Sequence, residues 1–163
     1  MSVQQYAIES MAMMQMLIGA AVADFSDDEL YVRPVPGANH AAWQIGHLVA
    51  SQHQLVGLAG GKLPALPDGF AQTFAKDAAG KDGLAAFGYG REKLLAVFNA
   101  QRDAVKAWTA SVTDADLAKG MPDPVRAYVP TVGSLLLLVS THDAMHLGQL
   151  QVIRRKLSKK HLM

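Results

Sequence analysis

The chain has 163 residues, 50% of them apolar and 18% charged, a formal charge of +1 and no cysteine. That length and apolar content fit one folded domain with a real core and exclude a disordered chain. The near-neutral charge removes the electrostatic reason to expect nucleic acid or an anionic membrane as a partner, and the missing cysteine removes disulfides, thiolate ligands and a cysteine nucleophile.

In chain order, the first helix is expected from about Val3 to Phe25. Met11, Met14, Ile18, Ala21 or Val22, and Phe25 recur at three- and four-residue steps, as one buried stripe requires. Gln4, Gln5, Glu9 and Gln15 interrupt this segment, so it is not expected to be a secretory leader. Ser26 and Glu29 have the spacing of a capping box, and Pro34, Pro36 and Gly37 then break the chain. Asn39 is the expected N-cap of a second helix through about Leu58, which Gly60 and Gly61 end.

The stretch from Lys62 to about Gly90, with Pro64, Pro67 and several glycines, reads as a long crossover holding a short helix around Phe70 to Ala75. A connection this long usually crosses the fold or shapes a site. The third helix is expected over about Arg91 to Ser111, with Leu94 or Leu95, Phe98, Ala104 or Val105, and Trp108 inward. The fourth is expected from near Pro130, in its first turn, to about Leu157. Arg154, Arg155, Lys156, Lys159 and Lys160 then suit the negative end of its dipole. Leu135 to Val139, the most apolar stretch, is far shorter than the ~20 residues a membrane span needs. One all-α domain over 1–163, in the cytoplasm and with no membrane partner, is the expectation. Phe25-Ser-Asp-Asp-Glu-Leu30 and Val112-Thr-Asp-Ala-Asp-Leu117 echo each other, each followed by prolines and a histidine-bearing helix, so two helix pairs of similar plan are conceivable.

The histidines carry the chemistry. His142 and His146 are four apart on one helix, about 40° around its axis and about 6 Å along it, so both can meet one ion. Gln149 follows on the same face. The alternatives to ligation are solvent exposure or hydrogen bonding to an opposite helix, and Leu135, Val139 and Leu150 near that stripe argue that it points inward. His47, ringed by Ile45, Leu48 and Val49, is the best third ligand. His40 lies two turns before it on nearly the same face, where it could line a pocket mouth and accept a proton. His53 sits about 240° around from His47 and is expected in solvent, as is His161. Trp43 is expected in the core. A di-iron carboxylate bundle does not fit, because only Glu9, Glu29 and Glu92 exist and none precedes a histidine by three. The zinc-protease spelling does not fit either, since Asp143 replaces its glutamate.

Trp43-Gln-Ile-Gly-His47-Leu and His142-Asp-Ala-Met-His146-Leu-Gly-Gln149 together resemble the two signatures of the DinB-like family, which takes in damage-inducible proteins and the YfiT-type metal-dependent hydrolases. The resemblance spans about Val3 to Leu157. It implies an up-down-down-up four-helix bundle with a long crossover between helices two and three. It also implies one divalent ion (Ni, Zn or Fe) held by His47, His142 and His146, and a homodimer. A small-molecule substrate, attacked by a water or a low-molecular-weight thiol such as mycothiol, bacillithiol or glutathione, is what some relatives imply. Gln149 would orient a ligand or contact substrate. The contrasting expectation is a non-catalytic dimeric stress-response or ligand-binding bundle whose metal is structural or absent.

Overall fold

The computed structural model describes residues 1–162. Four long helices, α1 (Val3–Val22), α2 (Ala41–Leu58), α5 (Arg91–Ser111) and α7 (Val132–Lys156), form the frame. Short helical pieces join them: a 3₁₀ turn at Glu29–Tyr31, α3 (Phe70–Thr73), a 3₁₀ turn at Lys76–Gly80, α4 (Leu84–Phe87) and α6 (Asp114–Leu117). Among the described residues there is no strand, only an isolated bridge between Gly120 and Thr131, and no helix is long and apolar enough to cross a membrane. α1 packs against α7 and α5, and α2 packs against α5 and α7.

The helix ends follow capping chemistry more closely than they follow proline. α7 starts two residues after Pro130. Thr131 is its N-cap and exchanges a capping box with Ser134, so the proline precedes the helix instead of occupying its first turn. α2 starts on His40, not on Asn39: the His40 Nδ1 accepts the Trp43 backbone N–H at 3.0 Å. α1 ends at Val22, three residues earlier than its apolar stripe suggests, although Phe25 is still buried. The sequence echo is real at the level of local structure. Ser26 and Glu29 exchange side-chain-to-backbone hydrogen bonds, and Thr113 and Asp116 do the same at α6.

The basic C-terminal cluster also has a more specific job than dipole complementarity. Arg154 is buried; its Nη1 donates to the Ala21 carbonyl at 2.8 Å and to the Asp24 carboxylate at 2.6 Å. It thereby satisfies the end of α1, where carbonyls lack helical partners, and fastens α7 to it.

Two apolar clusters fill the bundle. One gathers Ile18, Ile45, Leu48, Leu94, Phe98, Leu147 and Leu150 with Phe70, Phe74, Phe87 and Tyr89 of the crossover. The other gathers Met11, Leu55, Val56, Val105, Leu136 and Val139. Between them, at matching positions along three helices, lie buried Gln52, Arg102 and Asp143. Trp108, expected inward on α5, is only half-buried, and Thr109 beside it is the buried residue. The crossover stays close to α2 because Gly46 has no side chain: a Cβ there would lie 2.2 Å from the Phe74 ring. Gly148 on α7, by contrast, faces open space.

Candidate metal centre

His47 on α2 and His142 and His146 on α7 converge. One ring nitrogen of each lies within 4.8 Å of the others. The two α7 rings approach most closely, with Nε2 of His142 3.1 Å from Nε2 of His146. Two ligands on one ion at the ~2.0–2.1 Å of a metal–imidazole bond stand ~3.1 Å apart when they subtend about 100°, so this pair already has the spacing of one polyhedron edge. The His47 ring stands nearly perpendicular to that of His142, at 85° and 5.3 Å between centroids. It is held by stacking on Trp43, 4.6 Å away and tilted by only 6°. Trp43 is in turn fixed by its indole N–H, which donates to the Ala75 carbonyl at 3.0 Å.

The protonation of His146 can be followed through its neighbours. Gln44 donates its Nε2 to the Asn39 carbonyl at 2.8 Å, which turns the amide oxygen toward His146. That oxygen lies 3.1 Å from His146 Nδ1. Nδ1 must therefore carry the proton, and Nε2 presents its lone pair to the other two rings, the role an outer hydrogen-bond partner plays for a ligating histidine. Gln44 escaped the sequence reading. Its signal was its place three residues before His47, on the same side of α2.

Burial keeps these rings neutral. It pushes His47 down to about 4, helped by the neighbouring His142 ring and the Lys76 charge and opposed by the Phe74 backbone. It pushes His146 down to about 3, with His142 and His47 acting in the same direction and Gln149 against them. His142 is lowered too, first by burial and then by Lys76 and Arg102. Neutral imidazole is the ligating form, so no proton need be displaced near pH 7.

The other sequence candidates fall in different places. Gln149 is exposed and lines the cleft that opens over the three rings, a space of about 830 Å³. His40 does not line it. It is fully buried, and both its nitrogens are engaged, Nδ1 with the Trp43 N–H and Nε2 3.2 Å from the Lys81 carbonyl. The geometry makes it a helix cap that ties the crossover to α2, not a proton acceptor at the pocket mouth. His53, expected in solvent, is half-buried on the cleft wall with Nδ1 3.1 Å from the Gln101 amide oxygen. His161 is exposed, as expected. Asp143 turns away from the rings into the Arg102 ion pair. The crossover forms one wall through Gln72, Phe74, Ala75 and Lys76, so it does shape the site.

The family model described as the DinB superfamily matches residues 11–150, a span that includes both histidine motifs. No curated protein matches the chain.

Proposed function

The chain belongs to the DinB superfamily, and on that footing we propose that His47, His142 and His146 hold one divalent metal ion at the floor of a small-molecule site. The observation that carries this is the 3.1 Å approach of two Nε2 atoms on α7 beneath a third ring from α2. Among the described residues these are the only three metal-ligating side chains so grouped. Nitrogens bound to one ion at ~2.0–2.1 Å and about 100–110° apart stand ~3.1–3.4 Å from each other, so closing the widest gap by up to roughly 1.5 Å completes the set.

Such an ion supplies Lewis acidity, lowering the pKa of a water or thiol bound at its remaining position. The chain's residues do the rest. Gln44 holds the His146 tautomer, Trp43 braces His47, and Gln149 faces the open side, where it can orient a bound molecule. The reaction class proposed is hydrolysis or thiol transfer on a small electrophile.

Elemental analysis of the protein as isolated tests the site. One ion per chain is expected, absent from His47→Ala while helix content persists; a variant that keeps its metal removes the inter-helix centre. A graded version concerns Gln44. Gln44→Leu leaves His146 free to change tautomer and is expected to weaken metal affinity about 10–100-fold, the usual cost of deleting a ligand's outer partner. Competition with a chromogenic chelator measures it, and wild-type affinity in the variant contradicts the assigned role.

A second reading has an observation in its favour. Among the described residues no carboxylate lines the cleft, and His40 is sealed in the core, so neither supplies a free general base there. A metal that only pins α2 to α7 fits that absence. Turnover decides: if the metal-loaded protein neither hydrolyses esters nor transfers thiols, while chelation lowers the melting temperature, the ion is structural. Assembly is a separate proposal. The homodimer implied by the family predicts a sedimentation mass twice the 17.4 kDa of one chain.

A further inference from the structure

We propose that the cleft over the three histidines selects an anionic small molecule, a carboxylate or phosph(on)ate, and that Lys76 is the residue that reads its charge. This deepens the proposed site and rests on that reading of the cleft as a binding place.

Among the described residues the cleft is lined by one formal cation, Lys76, and by no aspartate or glutamate. The other polar groups on its wall among the described residues are serine, tyrosine, amides and His53, together with His47, His142 and His146, which burial holds toward the neutral form. Asp143, next to His142 in sequence, is buried in the Arg102 ion pair inside the bundle and is not on the cleft wall. Lys76 stands at the start of a 3₁₀ turn on the crossover wall and is exposed. It forms no ion pair among the described residues, although Asp77 is its neighbour in sequence.

A pocket whose walls carry charge of one sign concentrates ligands of the other. Phe74, Leu66, Leu138 and Met145 supply an apolar lining between the polar groups. The ligand that suits all of this has an acidic group for Lys76 and an apolar body for those walls. A metal at the histidines would add positive charge and strengthen the same preference. The chain's own contribution is therefore read best without the metal.

The experiment compares benzoate with its neutral counterpart benzamide. Binding is followed by Trp43 fluorescence in a Trp108→Phe background, with protein as isolated and again after chelator treatment, at low ionic strength. Benzoate is expected to bind about threefold to fivefold more tightly than benzamide in the chelated protein, the scale of one partly exposed charge pair. Lys76→Gln is expected to abolish that difference, and Lys76→Arg to keep it. In the protein as isolated, Lys76→Gln should still weaken benzoate relative to benzamide. Equal affinity for the two probes, binding of neither at millimolar concentration, or a preference that survives Lys76→Gln overturns the proposal. The results in chelated protein do not depend on metal content, so a protein that proves metal-free can still show the anion preference, and a metalloprotein can fail it.

Discussion

Arg102→Met is expected to destabilise the protein by about 3–5 kcal/mol, the usual cost of leaving a buried charge without its partner. Both side chains of the Arg102–Asp143 pair are fully buried. The pairing is economical in contacts. Nη2 alone spans the carboxylate, 2.8 Å from Oδ1 and 2.7 Å from Oδ2, while Nε and Nη1 make no hydrogen bond among the described residues. Gln52 donates the remaining hydrogen bond to Oδ1 at 3.0 Å. Burial already pushes Asp143 up to about 6, against the pull of Arg102 and Gln52. Removing the guanidinium removes the larger restraint, so the carboxyl must either protonate or stay charged in an apolar layer. Arg102→Met combined with Asp143→Asn is expected to recover most of the loss, since asparagine keeps an acceptor for Gln52 and carries no charge. Urea denaturation of both variants at pH 8 measures this. A double variant as unstable as the single one would mean that the cost lies in lost packing of the guanidinium against Phe98, 5.4 Å from its ring, and not in an orphaned charge.

That polar layer marks the limit of what the sequence discloses. The frame was legible because the apolar steps on α1 and α5 are strong, and the three histidines were legible because i, i+4 spacing puts two of them on one face. Arg102 was not. It occupies a core position of α5 between Phe98 and Val105, but a charged residue in a helix reads as solvated unless its partner is known, and Asp143 is 41 positions away. His40 was misread for a related reason. Asn39 is the better cap by intrinsic preference, and the contact that commits the second nitrogen of His40 comes from Lys81 in the irregular crossover. Phe70 and Phe74 are both fully buried, yet the segment that carries them has no period from which to infer it. Lys76 was silent for the same cause: its place on the cleft wall depends on how the crossover folds back over α2. In each case local preference was overruled by a partner distant along the chain.

The crossover's attachment to α2 should make stability acid-sensitive, and His40 is where the effect can be isolated. Its Nδ1 must be unprotonated to accept the Trp43 N–H, and its ring packs against Tyr31 and Phe87, each 4.9 Å away. Burial pushes it down to about 4 from 6.5, with Arg33 adding to the shift and the Lys81 carbonyl and Asp82 opposing it. A histidine whose folded pKa is depressed binds fewer protons folded than unfolded. Its contribution is therefore whole above pH 6.5 and is lost as pH falls toward 4. A shift of that size corresponds to about 3 kcal/mol, at 1.36 kcal/mol per unit. His47, His142 and His146 act in the same direction in chelator-treated protein, because burial lowers each of them as well. Asp143 acts the other way: with its folded pKa raised to about 6, its share of stability falls as pH rises from about 4 to 6. Several histidines oppose one carboxyl, so the net slope is expected to be loss of stability on acidification. His40→Asn supplies a residue that can still cap the helix but does not titrate in this range. It is expected to be less stable at pH 8 through lost ring packing, yet flatter by about 3 kcal/mol between pH 6.5 and 4. Urea midpoints across that window, with chelator present, give the comparison. Parallel curves for the two proteins would show that His40 takes up its proton in the folded state without cost, and that it is not the cap described above.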